Sequence, residues 1–381
     1  MPKRVIILAK FFPPELGGME TYALALANAL KNDFDVHVLV HARGAFGSDE
    51  TWDGFRVRRC GTWIYALSQP FSPSMLVEIP RLKPDIVHLN APNAFANLCW
   101  ALTARDRKLV ITHHADVSGR AIAKRFYTPF YRRAVMASSN VVVFSRKNAR
   151  LSVDLPQIDE KLVEIPHGID PELWQIDDDL LREAAALRQQ LAGGSPVASF
   201  IGRLIGYKGL DVLVRAIAQI ADGHAFIVGQ GPLRGGLEEL AHGIGAGDRI
   251  HFLGGVDERT KRIVLLASDL LVLPSVSTAE AFGIVQVEAQ FLGLPIVAST
   301  LPSGVTDVTV NEETGLLVPP HDNAALARAI QRLFGDEALR TRLGAAGRQR
   351  ALDKFSSTAF NNAYRALFQR LASEVKAPSS G

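Results

Sequence analysis

The chain has 381 residues, 48% hydrophobic and 21% charged, enough for two ordinary globular domains at roughly 150 residues each and too apolar for a disordered, collagen-like or coiled-coil chain. A formal net charge of +3 is too small to point to nucleic acid, so no nucleic-acid partner is expected. The two cysteines, Cys60 and Cys99, have neither zinc-ligand nor Cys-x-x-Cys spacing, which excludes a disulfide scaffold and a zinc ribbon and fits a reducing compartment.

In chain order, short β-branched apolar runs alternate with longer amphipathic stretches. Residues 4–9 read as a buried strand. That run stops at Lys10, too short for a signal peptide, and no apolar run approaches the ~18 residues of a membrane span, so a cytoplasmic chain is expected. A Pro/Gly loop follows, and residues 19–31 carry Leu24, Ala27 and Leu30 at helical spacing. Strands are predicted at 36–40, 86–89, 109–112, 141–144 and 163–165. Continuous apolar strands between helices indicate a parallel sheet covered on both faces. The rhythm weakens between His167 and Pro196, where Pro171, the acids Asp177 to Asp179 and a Gly-Gly-Ser-Pro stretch read as a crossing into a second domain, with one helix at 180–191. It then restarts, with strands at 197–201, 225–228, 250–253, 270–273, 296–298 and 315–318 and helices at 210–220, 284–291, 323–334 and 337–352. A last helix runs from Ser357 to about Glu374, with Phe360, Tyr364, Leu367 and Leu371 on one face. The tail, 376–381, reads as disordered. The expected architecture is two doubly wound α/β units facing across a cleft, where ligands sit at the carboxyl ends of the strands.

The loops that follow strands hold the chemistry. Gly17 and Gly18 precede a helix start; the pair either lets backbone N–H groups approach an anion or shapes a βα turn. Arg203 and Lys208 bracket one short glycine-containing loop. A planar fork and a point charge suit a diphosphate, although a solvated basic loop is the bland alternative. The run Gly229-Gln-Gly-Pro232 lacks dinucleotide-binding spacing and reads as a tight turn that lets a base or ribose approach the backbone. The strongest signal is Glu280 to Glu288. Gly283 opens a helix whose first N–H groups, near Ile284 and Val285, face the cleft, with Glu280 just before it and Glu288 one turn in. A carboxylate accepts two hydrogen bonds from a vicinal diol; a cap residue and a solvent-facing glutamate are the alternative.

His113 and His114 follow the strand at 109–112. A histidine there donates to a sugar hydroxyl or moves a proton, or is simply structural. Adjacent residues on an extended segment point to opposite faces, so no metal is assigned to the pair. None is assigned to Asp33 and Asp35, at a helix-to-strand turn, or to the Asp177 to Asp179 run. Between Arg120 and Arg150 there are eight Lys and Arg and no acid, interleaved with Phe126, Tyr127, Phe130 and Tyr131. The segment from Arg120 to Arg133 is either a patch for an anionic membrane surface or a polyprenyl diphosphate, or a basic helix face with core aromatics.

The ordered set of Gly17-Gly18-Met-Glu-Thr21, Thr112-His-His114, Ile165-Pro-His-Gly-Ile-Asp170, Gly202-Arg203, Lys208-Gly209, Glu280 to Glu288, Gly293 to Ser299 and Thr314 to Pro320 resembles the family 4 glycosyltransferases of the GT-B fold, over nearly the whole chain. The nearest likeness is to mannosyltransferase-like members. The resemblance implies an acceptor-side Rossmann-like domain at 1–175, a nucleotide-sugar-binding one at 176–356 and a final helix, 357–374, packing back on the first. It implies Arg203 and Lys208 on the donor diphosphate and Glu288 on the ribose, with Glu280 on the transferred sugar. Phe282, Gly283, Ile284 and Val285 match the helix start under the phosphates, and Gly17 and Gly18 the loop that closes on the donor. His114 matches the histidine near sugar and acceptor, followed by Asp116; Asn90 stands where some relatives have histidine. Such enzymes usually transfer with retention and without a metal or other cofactor. The expected reaction moves a hexose, mannose from GDP-mannose, to a glycan or polyprenyl-linked acceptor in surface polysaccharide synthesis, at the inner face of a membrane. A sugar-nucleotide epimerase, which needs no acceptor, and a non-catalytic sugar-nucleotide-binding subunit are the alternatives.

Overall fold

The structure, a computed structural model, describes residues 2–15, 17–66, 69–116 and 121–375. Arg120 and the tail 376–381 lie outside the described residues, as do the side chains of Lys124 and Phe126. The chain divides into two units, Met1–Gly168 with Ser357–Gly381, and Ile169–Ser356.

The first unit runs β1 (Arg4–Leu8), α1 (Gly18–Leu30), β2 (Asp35–His41), β3 (Ser48–Trp52), β4 (Phe55–Cys60), β5 (Ile64–Ala66), β6 (Gln69–Phe71), α2 (Met75–Leu82), β7 (Ile86–Ala91), α3 (Ala94–Thr103), β8 (Lys108–His113), α4 (Ala121–Ala137), β9 (Asn140–Val143), α5 (Arg146–Leu151) and β10 (Leu162–Glu164). The second runs α6 (Asp178–Ala192), β11 (Val197–Ile201), α7 (Leu210–Ala218), β12 (His224–Val228), α8 (Arg234–Gly243), β13 (Ile250–Gly254), α9 (Glu258–Leu266), β14 (Leu270–Leu273), α10 (Ile284–Phe291), β15 (Ile296–Ser299), α11 (Val305–Val308), β16 (Gly315–Val318), α12 (Asn323–Gly335) and α13 (Glu337–Phe355). The chain then returns to the first unit as α14 (Ser357–Glu374).

The apolar runs become the central strands because Val and Ile fill a sheet covered on both faces. The first sheet has the order β10-β9-β8-β7-β1-β2-β4-β3, parallel except for the edge pair β3–β4. α1 and α14 cover one face, with Leu26, Leu30, Tyr364 and Phe368 fully buried. α2, α3 and α4 cover the other, through Met75, Ile79, Cys99, Trp100 and Val135. The second sheet, β13-β12-β11-β14-β15-β16, is parallel throughout. Several helices start where a side chain accepts one of the first free N–H groups: Asp177 for α6 at 2.7 Å, Asp322 for α12 at 2.8 Å and Asp336 for α13 at 2.8 Å, each cap worth about 1 kcal/mol.

Each sheet reverses its strand order once. β1 lies between β2 and β7, and β11 between β12 and β14. The loops after the two strands at such a reversal part in opposite directions and leave a crevice at their carboxyl ends. In the second sheet those loops carry Arg203 and Lys208, after β11, and Glu280 to Gly283, after β14.

Of the two readings of the basic segment, the described aromatics fit the basic helix face with core aromatics. Tyr131 is buried and Tyr127 stacks on it at 5.4 Å between ring centroids, so these aromatics are core. Arg132 donates to the Val153 and Asp154 carbonyls, Arg146 to the Leu162 and Asp159 carbonyls, and Arg150 pairs with Asp159. Arg125 and Arg133 stay exposed. Among the described residues no helix is long and apolar enough to cross a membrane.

Candidate active site

Lys208 and Glu280 come together across the crevice of the second sheet. Lys208 Nζ donates to Glu280 Oε2 at 2.6 Å, and Ser275 Oγ donates to the same oxygen at 2.8 Å. Both side chains are largely buried, 12% and 8% exposed, so the pair interacts in a medium far less screening than water. Both bonds go to Oε2; Oε1 takes none from the described residues. Lys208 Nζ also lies 5.4 Å above the Tyr207 ring. Arg203 is exposed on the same loop, and its guanidinium has no hydrogen bond or ion pair within the described residues.

Glycines let these loops touch. Gly209 sits at φ 64°, and a Cβ there would lie 2.1 Å from the Pro274 carbonyl oxygen. A Cβ at Gly229 would lie 1.8 Å from the Gly202 carbonyl oxygen, and one at Gly231 2.3 Å from that of Leu204. In the turn at 229–232 the Cβ side of both glycines is occupied by the neighbouring loop's own backbone. Gly209→Ala should therefore destabilise the second unit by about 2 kcal/mol, read as a lower urea midpoint.

Gly283, at φ 68°, caps α10. The Ile284 and Val285 N–H groups at that helix start have no acceptor among the described residues, as at any uncapped N-terminus. Ile284 is exposed, whereas the Phe282 ring turns inward onto Phe355 at 5.6 Å. Gln286 donates to the Phe282 carbonyl at 2.9 Å and accepts from Thr309 Oγ1 at 2.6 Å, which fixes the bend. Glu288 does not meet Glu280 or Lys208. Its Oε1 accepts from Lys261 Nζ on α9 at 2.9 Å, and Lys261 also pairs with Glu258 and lies over Trp174. Burial pushes the Glu288 carboxyl up, and Lys261 opposes that shift. Lys261, Ser275 and Gln286 were not anticipated; Gln286 lies inside the Glu280 to Glu288 run, but no local pattern gives any of the three its partner.

Gly17, Gly18 and His114 belong to the first unit. Gly17 is extended (φ 173°) at the cap of α1, and neither it nor Gly18 has a left-handed φ, so backbone conformation does not require the pair. Both are exposed, and a Cβ on Gly18 would meet nothing within 4 Å, so the helix start is open. His114 Nε2 faces Asn90 Oδ1 at 3.3 Å, and its ring stands edge-on to Tyr22 at 4.7 Å and Phe144 at 5.2 Å. Burial first, then His167, His88 and His113, push it down to about 3, so above pH 4 it acts as a neutral imidazole. His113 points elsewhere, to the Tyr131 hydroxyl at 2.9 Å. The carboxylate of Asp116 accepts from Ser152 Oγ and, at 2.9 Å, from the Val153 N–H. It closes a turn: the carboxylate that follows His114 is taken up by Ser152 and Val153. Burial raises its pKa, but His113, Ser152 and Val153 together hold it well below the usual carboxylate range. Asp33 pairs with Arg365 and Asp35 with Arg4. Among the described residues no three His, Cys, Asp or Glu side chains gather as a metal site.

Four histidines of this unit share the downward shift through burial: His88 and His114 to about 3, His41 and His167 to about 4. In the unfolded chain they take up protons below about pH 6.5, while the folded forms stay neutral. The unfolded state then binds more protons, so stability holds above about pH 6.5 and falls as pH drops toward 4. Thermal melting should show its midpoint declining from near pH 6.5, before the carboxylates titrate. A flat profile from pH 7 to about 5 contradicts this.

Residues 16–173 match the profile of Glycosyltransferase Family 4, and residues 183–350 that of Glycosyl transferases group 1. The D-rhamnosyltransferase WbpZ of Pseudomonas aeruginosa is 30% identical over 335 residues, 87% of this chain and 86% of the relative. The chain belongs to the GT-B glycosyltransferases. This glycosyltransferase is also similar to O-antigen chain mannosyltransferase C of Escherichia coli, at 27% identity over 80% of this chain and 81% of that one. Its fold matches Anabaena Alr3699/HepE, solved in complex with UDP, with a TM-score of 0.73 at 21% identity over 97% of this chain and 100% of that one. The two sheets are thus the Rossmann-like domains of a GT-B-like fold, and the enzyme transfers a sugar from a nucleoside-diphosphate-sugar donor to an acceptor.

Proposed function

We propose that the enzyme moves mannose from GDP-mannose to a glycan or lipid-linked glycan acceptor, with retention and without a metal. The observation that carries the donor site is the buried Lys208–Glu280 pair beside the open start of α10. The choice of mannose is supported by the mannosyltransferase relative, not by Asp116.

Departure of a nucleoside diphosphate builds negative charge on its phosphates. Lys208 and Arg203 supply positive charge there, and the Ile284 and Val285 N–H groups add the end of a helix dipole. Glu280 holds Lys208 through Oε2 and offers Oε1 to a hydroxyl of the transferred sugar. Glu288, drawn toward Lys261, offers its second oxygen to the ribose diol. In the first unit, neutral His114 makes a hydrogen bond to the sugar or acceptor, and Gly18 leaves α1 open to the donor. The exposed cations Arg125 and Arg133 of α4 suit an anionic acceptor lipid at the inner face of a membrane.

A thermal-shift screen of GDP, UDP, ADP and dTDP and their sugars tests the donor. A ligand at about 100 times its Kd adds about 2.7 kcal/mol. The largest upward shift is expected with GDP and GDP-mannose, and a shift with UDP but none with GDP overturns the donor assignment. Binding of anionic liposomes should fall with salt, and its absence at low salt removes the membrane reading.

A further inference from the structure

The side chains that hold His114 include one set that no motif singles out. Thr112, two residues before His114 on β8, is fully buried. Its Oγ1 lies 3.1 Å from the Tyr22 hydroxyl, 3.0 Å from the Tyr364 hydroxyl and 2.9 Å from His88 Nε2. The Tyr22 and Tyr364 hydroxyls also bond each other. Proton counting closes this set. His88 Nδ1 is buried without a partner, so the ring places its proton on Nε2 and donates to Thr112. Thr112, Tyr364 and Tyr22 then donate head to tail around a ring, so that four protons make four hydrogen bonds with none left over. A buried network satisfied in this way is rigid, and deleting any member leaves another unpaired in a low-dielectric core.

The ring fixes Tyr22, and Tyr22 in turn touches the site. Its ring lies edge-to-face with His114 at 4.7 Å, Phe144 at 5.6 Å and His167 at 5.6 Å, while Phe144 stacks on His167 at 3.9 Å. Asn90 holds Nε2 of His114, so the imidazole is confined by one hydrogen bond and two aromatic walls. We propose that Tyr22 is a positioning residue for His114, and that the hydroxyl of Tyr364, delivered by α14, locks Tyr22 in place. The inference rests on reading His114 as the histidine beside the transferred sugar. The titratable groups around that imidazole are Tyr22 from α1, His88 from β7, His113 next to it and His167.

The test follows the histidine itself. In carbon–proton spectra of the histidine Cε1 groups, assigned with His114→Gln, the His114 titration midpoint should rise by at least about one pH unit in Tyr22→Leu, as water replaces the ring. A midpoint within about 0.3 units of wild type overturns the proposal. Tyr22→Phe and Tyr364→Phe keep the rings and delete one hydroxyl each. With GDP-mannose they should lower kcat about 10- to 100-fold and leave KM within about twofold, because misplacement acts on the reacting geometry. Thr112→Val should match that loss and Thr112→Ser restore most of it. Wild-type kcat in both phenylalanine variants overturns the proposal, even if their melting midpoints fall. Unchanged turnover in His114→Ala overturns the reading beneath it, and the titration midpoint still decides whether Tyr22 positions the ring.

Discussion

Lys208→Ala should lower transfer by about 10²- to 10³-fold and also weaken the fold. The first effect is that of deleting one preorganised partner of a developing charge, about 2–4 kcal/mol of transition-state stabilisation. The second follows from Glu280. Its carboxylate is 8% exposed and takes its two hydrogen bonds on one oxygen, from Lys208 and Ser275. Without the lysine a nearly buried negative charge loses its counter-ion, and breaking such a pair from one side costs about 3–5 kcal/mol unless the carboxyl binds a proton. The double variant Lys208→Met/Glu280→Gln separates the two effects. Urea unfolding should recover most of the lost stability while turnover stays low. Full stability in Lys208→Ala alone would show that the ion pair does not hold the two loops together.

Arg203→Ala should give a loss of turnover as large, about 10²- to 10³-fold, with an unchanged urea midpoint. Its guanidinium is exposed and unpaired within the described residues, so no stabilising contact is removed and no partner is stranded. Arg203→Lys should recover only part of the rate, because a point charge cannot span two phosphate oxygens as a planar fork does. Near-normal turnover by Arg203→Ala removes the arginine from the reaction.

The sheets were legible because their strands are apolar on both faces. Runs such as Val5-Ile-Ile and Leu270-Leu-Val-Leu273 are short and wholly apolar, as the strands of a covered parallel sheet are. The edge hairpin β3–β4 was not, since Ser48-Asp-Glu-Thr51 is exposed and lacks alternation. In the site, loops after strands pointed to Arg203, Lys208, Glu280 and Gly283, which do lie at the reversal of the second sheet. What could not be read was pairing. Nothing in the spacing of Lys261, at i,i+3 from Glu258, says that its ammonium reaches Glu288 from another helix. Asp116 next to a candidate histidine looked like sugar chemistry, yet its oxygens face a turn thirty-odd residues on, at Ser152 and Val153. Gly229 and Gly231 read as turn glycines, and the carbonyls that crowd their Cβ sides belong to a different loop. Each miss is a contact between segments remote in sequence, about which local pattern is silent.

The return of the chain as α14 has a consequence for the order of assembly. The core between α1 and the first sheet is completed by Phe360, Tyr364, Leu367, Phe368 and Leu371, which leave the ribosome after the whole of Ile169–Ser356. The second unit, one uninterrupted stretch, is complete while the first still lacks its closing helix. Synthesis and maturation therefore run in opposite directions along this polypeptide. Stopping translation at residue 356 should release a finished second unit joined to an unfinished first one, with Tyr22 and Phe34 stripped of the Phe360, Tyr364 and Phe368 rings that stand against them.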